Sequence, residues 1–543
     1  MTATTRQPPY WVEAFDDQER RRLEPYFSNT DRPVFALRNL PEVVKGALFA
    51  RYSRSGKSLR RLFLDEFHDQ VAGEAAPRTP SVGEARASAL YQRVLDEYGD
   101  DSVAQLAGAH VACEQASNLL TKALEWGRLA SYMEQSTRYV SYTDRPGGRW
   151  RYHIDPDVEA DPDAGPEYRR VLDGVFATYA ELVPALTDHL GTVLPRDPGA
   201  GDAAWRRALK ARALDALRGL LPAATTSNVG IFASGQAYEA LLLRLRANPL
   251  PEARSYADLL LGELRQVIPT FLTRVDREDR GVQWSRYLAE TAQETAKVVD
   301  ALLGDPAPAE ERPSVRLVES DPAAEEKVLT AIAYPVLRIG EPEVAARVAR
   351  LGAEDRARLL AAYVGERRNR RQRPGRAFER AVYTFDVVCD YGAFRDLQRH
   401  RMCTIVWQRL SPDLGYDLPP DVAAAGLGER YSARMRDLTA LYRALEPRHP
   451  AQAPYAVSMA HRVRFAITLN ARELMHLVEL RSTPQGHPTY RTVAQQMHRL
   501  VAEQAGHRGL AEAMRFVAHD DVDLGRLAAE QRSQARRSGV LPA

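Results

Sequence analysis

A mixed α+β fold with helices in excess is predicted by this sequence of 543 residues. Three observations predict it. Most of the chain spaces its apolar residues at three and four, the period of a half-buried helix. Strand-like runs, alternating or β-branched, are short and few. A stretch rich in proline, alanine and acidic residues, Gly304 to Glu326, separates two halves in which similar elements recur in the same order.

Composition narrows the class. The 74 basic and 72 acidic residues nearly cancel, to a formal charge of +2. That balance argues against a nucleic-acid coat or a membrane-surface protein, both of which carry a marked basic excess. Hydrophobic residues at 45% and charged residues at 27% exclude a chain disordered throughout. Six of the 74 basic residues are lysine and the other 68 arginine, so an arginine motif alone carries little weight. Cys113, Cys389 and Cys403 are too scattered for a disulfide framework or a zinc site. The opening residues are polar, with no apolar leader, and no apolar run approaches the ~18–20 residues of a membrane helix. A cytoplasmic protein with no membrane partner is expected.

The elements follow in order. LYQRVLDEYG (90–99) reads as a helix. Leu119 to Tyr142 begins as a helix, and Ser136–Tyr142, β-branched and aromatic, reads as a strand. RRVLDGVFATYAELVPAL (169–186) and YADLLLGELRQVI (256–268) are helical. The segment 304–326 has neither period and reads as a linker, giving domains 1–303 and 327–543. In the second domain Ala381–Val388 alternates as a strand. RMRDLTALYRAL (434–445) and RTVAQQMHRLVAEQ (491–504) are helices. A weak internal repeat links the halves. Trp126-Gly127-Arg128 falls on Arg399-His400-Arg401, and Lys122 on Arg395, at one offset of 273. The segment from Leu221 likewise resembles that from Val457.

Four places could carry chemistry. Arg399-His400-Arg401 follows a strand and a short turn. On a helix neighbouring side chains point about 100° apart, so at least one of the three should turn inward and meet an anion. A phosphate or cofactor cluster and an arginine-rich solvated helix both fit. Glu134-Gln135-Ser136-Thr137-Arg138 could cradle a phosphate or be a turn that satisfies its own backbone. Asn470 suits a helix N-cap, and Leu474, Leu477 and Val478 form an apolar stripe that Arg481 continues at i+7. An arginine there needs an acceptor for its head, while Arg472 and His476 share another face. The basic run Glu366 to Arg376 permits nucleic-acid contact, yet it has no interleaved aromatics and reads better as a solvated loop.

These segments resemble the flavin-dependent thymidylate synthases, the ThyX family. The carriers of the resemblance are Arg399-His400-Arg401, Phe378-Glu379 twenty-one residues before it, and Asn470-Ala-Arg472…His476…Arg481. In the first half they are GALFARYSRS (Gly46 to Ser55), Glu134-Gln-Ser136-Thr-Arg138-Tyr and Leu217-Arg218-Gly-Leu-Leu-Pro222. The resemblance implies two tandem ThyX-like domains forming an intrachain pseudo-dimer. It implies reductive methylation of a uridylate, dUMP to dTMP, with FAD as cofactor and NADPH and methylenetetrahydrofolate as co-substrates.

Each half departs from the family pattern in a complementary way. Trp126-Gly127 and Ser234-Gly235-Gln236 replace the signature residues of the first half. Trp407-Gln408-Arg409, Pro454, Asp396 and Arg380 replace others in the second. The resemblance therefore implies a single composite site. Ser136, Arg138 and Arg218 would bind the substrate phosphate. Arg399, His400, Arg401, Asn470, Arg472, His476 and Glu134 would hold the flavin. Arg481 would bind the pyrimidine and act on it catalytically. A homodimer forming a pseudo-tetramer is the implied assembly. Another pyrimidine as substrate, or a non-catalytic binding scaffold, are the competing readings.

Overall fold

Each half of the chain builds a four-stranded antiparallel sheet, and both sheets have one strand order. In the computed structural model, residues 10–40, 42–52, 55–71, 105, 108–194, 196, 201–304 and 311–520 are described. The first sheet is ordered β1-β2-β4-β3, from Val34–Leu37 (β1), Gly108–Ser117 (β2), Ala130–Glu134 (β3) and Thr226–Ser234 (β4). The second is ordered β5-β6-β8-β7, from Ser314–Ser320 (β5), Val382–Asp390 (β6), Thr404–Trp407 (β7) and Arg462–Asn470 (β8). The chain is thus two tandem domains of one helix-rich α+β fold.

The repeat extends to residue level. Ser117 ends β2 and caps the helix Asn118–Leu124 by accepting from Leu120 N at 3.0 Å. Asp390, 273 positions later, ends β6 and caps Tyr391–Leu397 by accepting from Ala393 N at 2.7 Å. Ser234 caps Gly235–Arg246, and Asn470, 236 positions later, caps Ala471–Arg481. Short polar side chains at these junctions satisfy amide groups that a helix start leaves without partners. In β8, Val463, Phe465, Ile467 and Leu469 are buried and alternate with more exposed residues, the mark of a sheet with one face on the core.

Contacts divide the chain into two compact units, each assembled from three stretches. Unit 1 comprises Met1–Glu181, Leu220–Ala307 and Ser432–Val457. Unit 2 comprises Leu182–Gly219, Pro308–Tyr431 and Ser458–Ala543. Each unit therefore contains a stretch from the other half of the sequence.

Three expectations are corrected. The segment 304–326 is not all linker, because β5 occupies Ser314–Ser320 and pairs with β6. Only Leu317 of that strand is buried, so the strand period was faint. Ser136–Tyr142 is not a strand. The strand lies upstream at Ala130–Glu134, and the amides of Tyr139 and Val140 both donate to Ser136 O, closing a turn. β-branched and aromatic content is a packing preference that local turn bonds override. Arg399-His400-Arg401 does not lie on a helix but in the turn between Tyr391–Leu397 and β7. The expected helix at 90–99 lies outside the described residues, as do Ser53 and Arg54.

Candidate functional site

Unit 2 gathers charged side chains where two strand-to-helix junctions meet. The turn after the Tyr391–Leu397 helix turns His400 inward, leaving it 5% exposed, while the Arg399 side chain stays 38% exposed. From the Ala471–Arg481 helix, Arg481 reaches the same turn. Its Nη2 donates to Asp396 O at 2.5 Å and its Nε donates to His400 Nε2 at 3.0 Å. Its guanidinium also lies 5.4 Å from the centre of the Tyr490 ring. The partners that an inward arginine requires thus include a backbone carbonyl, an imidazole and a π face.

Because Arg481 donates to Nε2, the neutral His400 ring carries its proton on Nδ1. That proton points at Glu473 Oε1, 3.1 Å away. Burial lowers the His400 pKa well below the ordinary histidine value, and the nearby Arg481 charge adds to the effect. His476, 5.3 Å from His400 between ring centres, is lowered to about 4, chiefly by burial, with Glu473 opposing. Burial raises the Glu473 carboxyl. His400, Glu473 and His476 bring ligand atoms within 4.8 Å of one another, close enough to hold a metal ion. A cation on His400 Nδ1 would force the proton onto Nε2, toward the Arg481 Nε–H. The arrangement suits a hydrogen-bonded relay better than a metal centre.

Arg218 belongs to this cluster although it comes from the first half of the sequence. It follows the helix Asp202–Leu217, and its side chain is 4% exposed. Its Nη1 lies 3.5 Å from Asp396 Oδ2, and its Nη2 is buried without a hydrogen-bond partner. Asp396 Oδ1 is 3.7 Å from Arg481 Nη1 and 3.9 Å from Arg399 Nη1. Asp390, whose pKa burial raises, also faces Arg218, which opposes the rise. A Cβ on Gly392 would come within 3.2 Å of Arg218 Nη2 and 3.0 Å of Asp390 Oδ1, so this glycine makes room for the approach.

The other predicted residues are engaged in various ways. Asn470 Oδ1 accepts from Glu473 N at 2.9 Å, fixing the start of its helix. Arg472 Nε donates to Pro374 O at 3.0 Å, and Arg472 lies 3.7 Å from Glu379. Arg401 is half-buried. The basic run 366–376 is not wholly solvated. Arg367 is buried and donates to both Glu479 oxygens at 2.6 Å and to Ala513 O at 2.7 Å.

Glu134, Ser136 and Arg138 lie in unit 1. Glu134 is buried 3.5 Å from Lys122 Nζ, which also meets Glu125 at 3.0 Å. Ser136 Oγ accepts from Arg138 N at 3.3 Å. Sequence reasoning missed Glu473, Asp390 and Tyr490. For Glu473 a signal existed: Glu-x-x-His puts Glu473 and His476 one turn apart on one helix face.

The repeat-related positions of unit 1 are chemically different. At the two offsets Gly127 stands for His400, Ala237 for Glu473, Ala240 for His476 and Leu245 for Arg481. Gly127, Ala237 and Ala240 line a cavity of about 800 Å³ that also takes in Trp284 and Tyr287.

Comparison with known proteins places the chain. Residues 49–270 and 316–506 match the family described as thymidylate synthase complementing protein. A UPF0159 protein of Chlamydia muridarum (strain MoPn / Nigg) is 36% identical over 96% of this chain and 99% of its own length. One from Thermoplasma acidophilum is 31% identical over 91% of this chain and 99% of its own. Among solved structures, a UMP/dUMP methylase, PolB from Streptomyces cacaoi bound with 5-Br dUMP, aligns at TM-score 0.30 and 20% identity. That alignment covers 39% of this chain and 99% of that one.

Proposed function

The chain belongs to the thymidylate synthase complementing protein family, and from that premise we propose that it is a flavin-dependent uridylate methylase. It converts dUMP to dTMP with methylenetetrahydrofolate as carbon donor and NADPH as reductant. One observation carries the reading: Arg218 from the first repeat shares the Asp396 carboxylate with Arg399 and Arg481 of the second. Three guanidinium groups drawn from both halves outnumber the carboxylate they share, and one of them has a buried N–H that lacks an acceptor, so the cluster still attracts an anionic ligand.

Arg481 is the catalytic residue. Held by Asp396 O and His400 before substrate arrives, its guanidinium stabilises negative charge developing on the pyrimidine without reorganising. Arg218 binds the nucleotide phosphate, and we assign Ser136 and Arg138 to substrate binding as well. Arg399 and Arg401, cationic donors flanking a neutral His400, fit the diphosphate of FAD, and Asn470, Arg472, His476 and Glu134 are assigned to the same cofactor. When bound, reduced FAD supplies the hydride that completes the methyl group. No side chain need form a covalent bond to substrate, and Cys113, Cys389 and Cys403 are all buried.

The test is direct. Purified full-length protein is loaded with FAD and incubated with NADPH, methylenetetrahydrofolate and dUMP, and dTMP is measured by chromatography. A yellow protein that forms dTMP supports the reading. Protein that retains no flavin and forms no dTMP refutes it.

A further inference from the structure

The arginine cluster of unit 2 already holds an anion of its own. Asp396 stands among three guanidinium groups at 3.5, 3.7 and 3.9 Å, those of Arg218, Arg481 and Arg399. These are ion-pair distances, so the carboxylate lies within the field of all three cations. Its side chain is 12% exposed and that of Arg218 is 4% exposed, so little water screens this pair. A second carboxylate, Asp390, faces Arg218 from the other end of the same short helix. The repeat-related position in unit 1 is Ala123, so the shared fold does not require an acid there.

We propose that Asp396 is the specificity-determining residue of this site: a resident counter-ion that lowers affinity for a phosphate dianion and leaves recognition to the uracil ring. The inference rests on the uridylate reading above and refines its substrate class. A phosphomonoester brought to Arg218 arrives beside a like charge that already consumes part of the arginine field. The uncharged ring and sugar meet no such opposition. The wild-type protein therefore discriminates little between uracil nucleotides and the corresponding nucleosides.

The experiment measures dissociation constants of dUMP, deoxyuridine and inorganic phosphate by calorimetry, for FAD-loaded wild type and for Asp396→Asn and Asp396→Gln. In the wild type, dUMP is expected to bind less than tenfold more tightly than deoxyuridine. In the variants that ratio rises at least tenfold, and inorganic phosphate binds at least tenfold more tightly. A wild-type ratio of ten or more overturns the proposal without any variant, should both variants fail to fold. Folded variants with an unchanged ratio and unchanged phosphate affinity also overturn it. If no protein binds either pyrimidine but the variants gain affinity for inorganic phosphate, the charge assignment stands and the uridylate reading falls.

Discussion

Two regions of this molecule occupy corresponding places in the same fold and differ in chemistry at four matched positions. In unit 2 the paired strand-to-helix junctions carry His400, Glu473, His476 and Arg481; in unit 1 they carry Gly127, Ala237, Ala240 and Leu245. The caps, strand order and helix starts are shared. Unit 1 therefore demonstrates that the architecture closes without ionisable groups at these positions. Burying such groups costs free energy unless each is paired, and pairing seldom repays the desolvation in full. The charged set of unit 2 is thus held for something other than folding, which is the strongest physical argument for placing the chemistry there.

The comparison can be broken most sharply at Arg481. Arg481→Ala should lower dTMP formation by about 10²–10³-fold with the folded state intact by circular dichroism. A loss of less than tenfold would make the unit 2 junction no more functional than its counterpart in unit 1. Removing Glu479 should leave Arg367 buried without its counter-charge. Glu479→Ala is expected to destabilise unit 2 by about 3–5 kcal/mol, read as a lowered midpoint in urea. Gly392 occupies the place of Leu119. Gly392→Ala should push Arg218 aside and weaken phosphate binding severalfold, whereas Leu119→Ala should leave phosphate affinity unchanged.

A smaller effect concerns pH. His476 is held neutral, with its pKa lowered from 6.5 to about 4. Between those values the unfolded chain binds more protons, so this histidine contributes stability above pH 6.5 that is lost as pH falls toward 4. Glu473, raised, contributes the opposite slope just above pH 4.5, so the histidine effect is clearest between about pH 6.5 and 5. Urea midpoints of wild type should fall more steeply across that window than those of His476→Gln. Equal slopes would mean that the ring titrates as in water.

Much of this was legible in the sequence, for identifiable reasons. The offset of 273 is visible because Lys122 and Arg395 mark the same turn of two helices that the structure places at Asn118–Leu124 and Tyr391–Leu397. Asn470 was legible as a cap because its geometry depends on the next three residues alone. Ser136–Tyr142 misled because side-chain composition says nothing of where a turn closes. The Arg367–Glu479 pair joins residues 112 apart, and no local pattern reports a partner at that distance. Asp390 reads as an ordinary cap until the fold brings Arg218 against it. The departures from the family pattern were plain in the residues. What Asp396 does to three arginines required their distances.

The stretches that cross over, Leu182–Gly219 into unit 2 and Ser432–Val457 into unit 1, make the polypeptide hard to sever. A cut inside the acidic stretch would yield a C-terminal product lacking the segment that delivers Arg218. The N-terminal product would lack Tyr455, whose hydroxyl donates to the buried Glu252 at 2.7 Å. Neither half of the sequence therefore carries a complete unit by itself.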